Sequence, residues 1–357
     1  MLSDIAGRLK SREETRREYD VLAEAEDIPD DGFMPSWLYD EDFERGQEVK
    51  KKFLERFNNV PLEEAIPGKA VSNAFGECYE ISASMEYRPA RIEGDQARMS
   101  LLSHLRLLHG IGPEKEAKLK AEGYHSIEDL IRHPGWTKKA RQFVDLLDAG
   151  DPASIQQEIW RWLPKSHPLN LYVTAYSDIE RLMAIDIETL GLFSRPIILF
   201  GAAYVQGDQI RTVQYLARNI AEEASAIEEF CTAITERPII SYNGRAFDVP
   251  YVNQRRWFYD MHGEVDNIHF DMLHFARKAF KDKLPDARLI TIEQHLTGNS
   301  RTDDVPGAMV PEFYEAYLKN GNPGPLVPIV EHNRLDMITL AKVFTHLCEE
   351  ECSGVRR

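Results

Sequence analysis

Two acidic residues stand in an apolar run near the middle of the chain, in the stretch from Leu182 to Gly191. Asp186 and Glu188 are separated by one residue, so in an extended strand their side chains lie on the same face. Two carboxylates held close together repel each other, and a divalent cation is the simplest counter-charge. The pattern predicts a strand that carries metal ligands, with an ordinary strand end beside a turn as the structural alternative.

Two more acids follow downstream, each beside a secondary-structure signal. Asp248 closes the stretch that begins at Asn243, after a strand-like run, and Asp336 closes the stretch that begins at His332. The second stretch is predicted to lie at the start of a helix. Four acids in this order favour a metal site over an isolated strand end.

These motifs resemble the DEDD-type 3′→5′ exonucleases of the RNase H-like superfamily, whose motifs read D-x-E-T-x-G, N-x-x-x-F-D and a last segment ending in Asp. The stretches from Arg301 to Gly307 and from His332 to Asp336 make the chain similar to the YprB-type branch. The resemblance covers about residues 181–349. It implies an α/β fold, an RNase H-like mixed β-sheet flanked by helices, and a nuclease site that uses two Mg²⁺ or Mn²⁺ ions.

The resemblance also implies the roles of the acids: Asp186, Glu188, Asp248 and Asp336 are the metal ligands and the catalytic carboxylates. His332 lies four residues before Asp336, so on a helix the two side chains share a face. Its imidazole could orient or deprotonate the attacking water. Relatives that use histidine place it five residues before the last Asp, and the tyrosine-using branch has the four-residue interval. Catalysis and a supporting role for His332 therefore both stay open.

Three candidates for substrate contact lie close to the first two acidic motifs. By resemblance, Thr189 offers its backbone to the 3′-terminal nucleotide and Leu190 lies against the terminal base. Ordinary strand-end structure is the alternative for both. Asn243 either binds substrate or braces Asp248.

Two further candidates for substrate contact lie near the last acid. Asn333 either meets the substrate or supports the groups around it. Arg301 either contacts phosphate, braced by Asp304, or forms an ion pair with Asp304 on the surface.

A second motif lies upstream, where two glycines separate helical patterns over Ser103–His109 and from Glu114 onward. It resembles the helix-hairpin-helix family of nonspecific DNA binders, which hold the phosphate backbone with a glycine turn and a helix N-terminus. Residues 101–142 contain 8 Lys or Arg against 5 Asp or Glu, which favours this function. A structural or protein–protein hairpin is the alternative. The predicted nucleic-acid contacts are Gly110, Gly112, Lys115 and Lys118.

Composition limits the function classes. The net charge of −16 argues against a protein that coats polyanions over its whole surface, but not against a local contact. No apolar run approaches the roughly 18 residues of a membrane span, and the first residues lack a signal-peptide core, so a cytoplasmic protein that does not contact membranes is predicted. The 4 cysteines contain no C-x-x-C pair, which does not favour structural zinc.

The predicted organisation has five parts. Helical patterns occur at Ile5–Leu22 and Phe43–Phe57, and further helices are expected at Ser126–His133 and Thr137–Leu147. Strands are expected at Ile197–Val205 and Gln209–Leu216, which flank a hairpin signal around Gly207, and at Pro238–Tyr242 and Ile268–Phe270, between further helices. The parts are a charged N-terminal segment (1–66), a small β segment with a hairpin (67–100), a helix-hairpin-helix domain (101–150), a linker (151–178) and an RNase H-like exonuclease domain (179–357).

The sequence as a whole predicts a metal-dependent 3′→5′ exonuclease that hydrolyses phosphodiester bonds of nucleic acid, with DNA favoured over RNA as its partner. Two alternatives stay open: a noncatalytic nucleic-acid-binding or scaffold protein with the same fold, and a structure-dependent endonuclease. The oligomeric state stays open as well.

Overall fold

The computed structural model describes residues 40–352 except 192, 193 and 299, so the helical pattern at Ile5–Leu22 lies outside the described residues. Seven strands form one sheet, and thirteen α-helices lie in the described part of the chain. The strands are β1 (Lys69–Asn73), β2 (Gly76–Glu86), β3 (Met183–Thr189), β4 (Ile197–Gln206), β5 (Gln209–Leu216), β6 (Ile239–Ser241) and β7 (His269–Asp271). The helices are α1 (Asp40–Arg56), α2 (Leu62–Ala65), α3 (Gly94–Leu102), α4 (Pro113–Ala121), α5 (Thr137–Ala149), α6 (Pro152–Trp162), α7 (Leu169–Tyr172), α8 (Glu223–Ile234), α9 (Asp248–Phe258), α10 (Met272–Ala279), α11 (Leu289–Thr297), α12 (Val310–Asn320) and α13 (Leu326–Cys352).

The sheet is mixed, with the strand order β1-β2-β5-β4-β3-β6-β7. The first five strands in this order pair antiparallel, whereas β6 pairs parallel with both β3 and β7. The predicted hairpin around Gly207 is present as β4 and β5. A mixed sheet flanked by helices is the fold class that the sequence predicted.

Strand β3 separates two apolar layers because its side chains alternate between the faces of the sheet. Ile185 and Ile187 pack with Phe230 of α8 on one face. Ala184, on the other face, joins the core that contains Met337 of α13. Asp186 and Glu188 share the face of Ala184 and are therefore directed toward α13.

The β segment predicted for residues 67–100 is continuous with the central sheet. Its hairpin is present as β1 and β2, and β2 pairs with β5 from Tyr79 to Glu86. Helix α1 also packs on this part of the fold, since Val49 and Phe53 share a core with Phe313 of α12. Strands β1 and β2 therefore extend the central sheet, and α1 packs beside them.

Of the helices predicted around the two upstream glycines, some are present and others are not. Helix α4 begins at Pro113, and α5 covers the predicted helix at Thr137. The expected helix at Ser103–His109 is wrong, because α3 ends at Leu102 and only a 3₁₀ turn, Leu105–Leu107, follows. The expected helix at Ser126–His133 is likewise a short 3₁₀ turn, Asp129–Arg132.

One apolar core connects this helical region to the sheet. Leu101, Leu130 and Ile159 belong to the same cluster of buried side chains as Phe270 and Phe344. The segment predicted as a linker contributes to that cluster through α6 and α7, so it is a packed part of the fold. No helix within the described ranges has the length and apolar character that a membrane crossing requires.

Candidate active site

Asp186 and Glu188 occupy the end of β3, where the strand pairs with β4. Asp186 is opposite Gly201 and Glu188 is opposite Leu199, and the register shifts immediately after Glu188. Glu188 is buried and Asp186 is half-buried. The predicted strand with two acids on one face is therefore present, and both acids lie beneath α13.

Gly201 allows α13 to approach this part of the sheet. A Cβ at residue 201 would lie 2.3 Å from Oδ1 of Asn333 and 2.8 Å from Sδ of Met337, closer than side-chain atoms can tolerate. The missing side chain leaves space for Asn333, whose Nδ2 donates to Oδ2 of Asp186 at 2.7 Å. Nε2 of Gln214 on β5 donates to Oδ1 of Asn333 at 2.8 Å and so orients the amide.

Asp248 is the first residue of α9, at the end of a turn that Asp271 holds in place. The carboxylate of Asp271 accepts hydrogen bonds from the backbone N–H groups of Asn243 at 2.9 Å and Arg245 at 3.2 Å, and it caps α10. Asn243 adopts φ of 70°, a left-handed conformation that asparagine tolerates better than most residues.

The carboxylates of the site are close enough to perturb one another. Burial raises the pKa of Asp186 well above its usual range, and the negative charges of Asp336, Glu188 and Asp248 raise it further. Burial also raises the pKa of Glu188 and of Asp248 to about 7 each. Each neighbouring carboxylate disfavours ionisation of the others, so the cluster needs positive charge to ionise fully at neutral pH.

His332 supplies part of that positive charge. Its Nδ1 lies 2.7 Å from Oδ1 of Asp304, and its Nε2 lies 3.6 Å from Oδ2 of Asp336 and 4.0 Å from Oε1 of Glu188. Burial alone lowers the pKa of His332, but Asp336, Asp304 and Glu188 outweigh it and raise the pKa to about 10. The imidazolium is therefore the favoured form in this arrangement.

Arg301 supplies a second positive charge. Its Nη2 donates to Oδ1 of Asp336 at 2.6 Å, and its Nε donates to Oε2 of Glu293 at 2.6 Å. The side chain is only 3% exposed, and its Nη1 lies 3.8 Å from Oδ2 of Asp304, so the predicted ion pair with Asp304 is present but buried instead of on the surface. The shortest contacts of the guanidinium are to Glu293 and Asp336.

No group of three or more His, Cys, Asp or Glu side chains between residues 42 and 350 is arranged in a way that could hold a metal ion. The amide of Asn333 engages one oxygen of Asp186, and the guanidinium of Arg301 engages one oxygen of Asp336. The four-acid metal site stays a prediction.

The structure brings together the three segments that carry the predicted acids. Two details of the last segment differ from the prediction. Helix α13 begins at Leu326, so His332 lies within the helix and the predicted helix start was too late. Asn333 is fully buried and contacts Asp186 and Gln214 instead of an open surface.

The remaining candidates near the acids lie at the edge of the site. Thr189 is half-buried and its hydroxyl donates to the carbonyl oxygen of Gly191 at 2.9 Å. Leu190 is half-buried against the core beneath α12 and α13. Asn243 is exposed beside the Asp248 turn. Their contacts with substrate stay predictions.

The nucleic-acid contacts predicted upstream lie around the turn before α4. Gly110 has φ of 93°, which favours glycine, and the amine of Lys115 donates to its carbonyl oxygen at 2.9 Å. Gly112 directly precedes α4, and Lys118 is exposed on that helix.

Sequence reasoning missed Gly201, Gln214 and Glu293, each of which supports a site residue. Gln214 is a polar side chain that is only 1% exposed, on the buried face of β5 that also carries Ile210, Thr212 and Leu216, and a large polar residue on this face was the available signal. Gly201 had the signal of an isolated glycine within an apolar strand. Glu293 had none.

Comparisons with known proteins agree with the fold. The family model of the RNase H superfamily matches residues 183–348. YprB of Bacillus subtilis (strain 168), an uncharacterized protein, is 29% identical over 197 residues, which are 54% of this chain and 47% of that protein. The chain therefore spans about half the length of this relative.

A solved structure, the family B DNA polymerase from the hyperthermophilic archaeon Pyrobaculum calidifontis, is 18% identical with a TM-score of 0.36. The match covers 45% of this chain and 24% of the polymerase chain, and so weak a likeness carries no conclusion about function. The family match, by contrast, includes β3, the Asp248 turn and the acids of α13. We conclude that residues 183–348 form an RNase H-like domain, which the family model of the RNase H superfamily matches, in a chain that is similar to YprB over about half its length.

Proposed function

We propose that the chain is a metal-dependent nuclease that removes nucleotides from the 3′ end of nucleic acid, with DNA preferred to RNA. The observation that supports this most is the electrostatic coupling of four acids from three distant segments, which raises the pKa of Asp186, Glu188 and Asp248. A fold gains no stability from gathering buried carboxylates, so a chemical role is the simplest explanation for them.

Divalent cations fit the chemistry of these donors. When bound, Mg²⁺ or Mn²⁺ would supply a hydroxide nucleophile near neutral pH and relief of charge at the phosphate. Asp186, Glu188, Asp248 and Asp336 are the residues that would hold them, because carboxylate oxygens are the preferred ligands of hard cations. The raised pKa values fit the same role, since the cluster lacks enough positive charge of its own.

The residues of the chain would supply orientation and proton transfer. The amide of Asn333 fixes one oxygen of Asp186, and the guanidinium of Arg301 fixes one oxygen of Asp336. Nε2 of His332 faces the carboxylates, and in the imidazolium form it would donate a hydrogen bond or its proton to an oxygen bound there, which orients that oxygen. The side chains of Asp336 and His332 are 20% and 17% exposed, so water can reach them.

The helical region would hold the nucleic-acid backbone. Gly110, Gly112, Lys115 and Lys118 lie at the turn before α4 and on its first turns, where backbone N–H groups and amines favour phosphate. The positive balance of residues 101–142 in an otherwise acidic chain supports this contact.

A cleavage assay with end-labelled single-stranded and double-stranded DNA and RNA tests the proposal. Each substrate is incubated with the protein and Mg²⁺, Mn²⁺ or EDTA. We expect stepwise shortening from the 3′ end with either cation and none with EDTA. Asp186→Asn should lower the rate at least about a hundredfold, because it removes one charge of the cluster.

The matched control is Asp208→Asn, the same substitution at an exposed turn beyond the other end of β4. Its rate should equal that of the wild type. Internal cuts would support the endonuclease alternative, and a gel shift without degradation would support a noncatalytic binding protein. A wild-type rate for Asp186→Asn would refute the proposed site.

A further inference from the structure

The segment that follows α11 directs charged side chains at the same face of α13. This segment contains Arg301 and Asp304 and belongs to none of the three acidic motifs. Asp304 is largely buried, with a side chain that is 11% exposed. Both residues contact α13 at positions that carry the proposed chemistry, so their geometry bears on how that chemistry is aligned.

Asp304 engages one of the two ring nitrogens of His332. Nδ1 of His332 lies 2.7 Å from Oδ1 of Asp304, the distance of a charge-assisted hydrogen bond. The opposite nitrogen, Nε2, is thereby directed at Oδ2 of Asp336 and Oε1 of Glu188. A carboxylate on one nitrogen fixes the orientation of an imidazole and keeps a proton on that nitrogen.

Arg301 keeps Asp304 beside the site. Its guanidinium is held by Glu293 and Asp336, and its Nη1 lies 3.8 Å from Oδ2 of Asp304. Nη1 is buried and has no hydrogen-bond partner in the described part of the chain, so its charge is directed at Asp304 without a close contact. Asp304 therefore has a cation on one side and the imidazole on the other.

We propose that Asp304 is a positioning residue, which holds His332 through Nδ1 so that Nε2 faces the carboxylate cluster. The proposal rests on the proposed nuclease function and adds a residue to it, because Asp304 acts on the reaction only through His332. The contacts that this role requires, from Asp304 to His332 and from His332 toward Asp336 and Glu188, are already present in the structure.

Nuclear magnetic resonance of the metal-free protein tests the contact without reference to activity. Protein with ¹⁵N-labelled histidine is compared with Asp304→Ala, and His332→Gln assigns the His332 signals. We expect a slowly exchanging Nδ1–H signal in the wild type that is lost in Asp304→Ala. Asp208→Ala, an exposed acid changed in the same way, should retain it.

Kinetics then test the consequence. Asp304→Ala should lower kcat about 10- to 100-fold with KM changed less than about threefold, because a group that orients a catalytic side chain acts on the chemical step. Asp304→Glu, which restores a carboxylate, should recover part of kcat. Asp304→Asn keeps the shape of the side chain and replaces the alanine variant should that variant not fold.

The outcomes separate this proposal from the proposed function. An unchanged Nδ1–H signal in Asp304→Ala, or a kcat equal to that of Asp208→Ala, would overturn the role of Asp304. A wild-type protein without nuclease activity would overturn the proposed function, while the resonance experiment alone would still support or overturn the contact between Asp304 and His332.

Discussion

Two carboxylates of the site, one on β3 and one on α13, each accept a hydrogen bond from a side chain in another part of the chain. Asp186 accepts from Asn333, and Asp336 accepts from Arg301. An amide and a guanidinium donate hydrogen bonds in fixed directions, so they orient the acids as well as stabilise them. The acids are therefore held in place before any ligand arrives.

Substitution of Asn333 by Asp tests this orientation. The variant removes the N–H group that donates a hydrogen bond to Asp186 and places a second buried carboxylate beside Asp186. We expect the free energy of unfolding to fall by about 1–3 kcal/mol. We also expect nuclease activity to fall about 10- to 100-fold, as for other residues that orient metal ligands. Urea unfolding at pH 7.5 and initial cleavage rates measure the two effects.

Asn219→Asp is the control for that substitution. Asn219 is exposed, and its side chain accepts from the N–H of Ala221, a contact that Asp makes equally well. Its stability and rate should match the wild type. If Asn333→Asp behaved in the same way, Asn333 would not be bracing Asp186.

The sequence predicted the acids of the site but not the residues that orient them. Asp186 and Glu188 are visible because strand alternation fixes their common face. Gly201 and Gln214 act only once β4, β5 and α13 meet, and that meeting depends on contacts between residues far apart in the chain. The local sequence marks Gly201 and Gln214 as unusual residues in their strands but does not show which residues they contact.

Among the elements, strands were predicted better than short helices. Apolar runs bounded by turn signals gave β3 to β7 nearly in place. The segment around Ser126 also has helical spacing, but Asp129 accepts from the backbone N–H groups of His125 and Ser126. These local side-chain bonds compete with helix formation and leave a 3₁₀ turn.

Strand β7 gives a prediction about pH. Burial lowers the pKa of His269 from 6.5 to about 4, and its Nε2 lies 2.6 Å from the hydroxyl of Ser241 on β6. The unfolded chain therefore binds a proton below pH 6.5 that the folded protein binds only near pH 4, so acid favours unfolding in this window. The free energy of unfolding, measured by urea titration between pH 7 and 4, should fall less steeply for His269→Gln than for the wild type. The difference should reach up to about 3 kcal/mol over this range.

The difference between variant and wild type isolates His269, because the other titrating groups are common to both proteins. His125→Gln, at an exposed position, is the control and should follow the wild-type curve. Parallel curves for His269→Gln and the wild type would contradict the buried neutral form of His269.

Across the whole molecule, charge is distributed unevenly. The chain has a net charge of −16, yet residues 101–142 are net positive. We predict that Lys118→Ala weakens binding to nucleic acid about equally for all sequences and lowers the slope of log affinity against log salt by about 1, as expected for one lost phosphate contact. Fluorescence anisotropy with labelled oligonucleotides in EDTA, at several salt concentrations, measures both.

Lys319 offers a matched control for this experiment. Its side chain is 76% exposed, compared with 77% for Lys118, and each lysine lies 3.9 Å from a glutamate one helical turn away. Lys319→Ala should leave the affinity and its salt dependence unchanged. Equal effects of the two substitutions would show that net charge, and not the helical region, governs binding.

The apolar core that runs from Leu101 through Ile159 to Phe344 has a consequence for how the protein melts. Regions that share buried side chains cannot separate without exposing those side chains to water, so they tend to unfold together. We expect the helical region that is proposed to hold nucleic acid and the proposed active site to unfold as one cooperative unit. Heat or denaturant would then abolish the proposed binding and cleavage together, without an intermediate that retains only one of them.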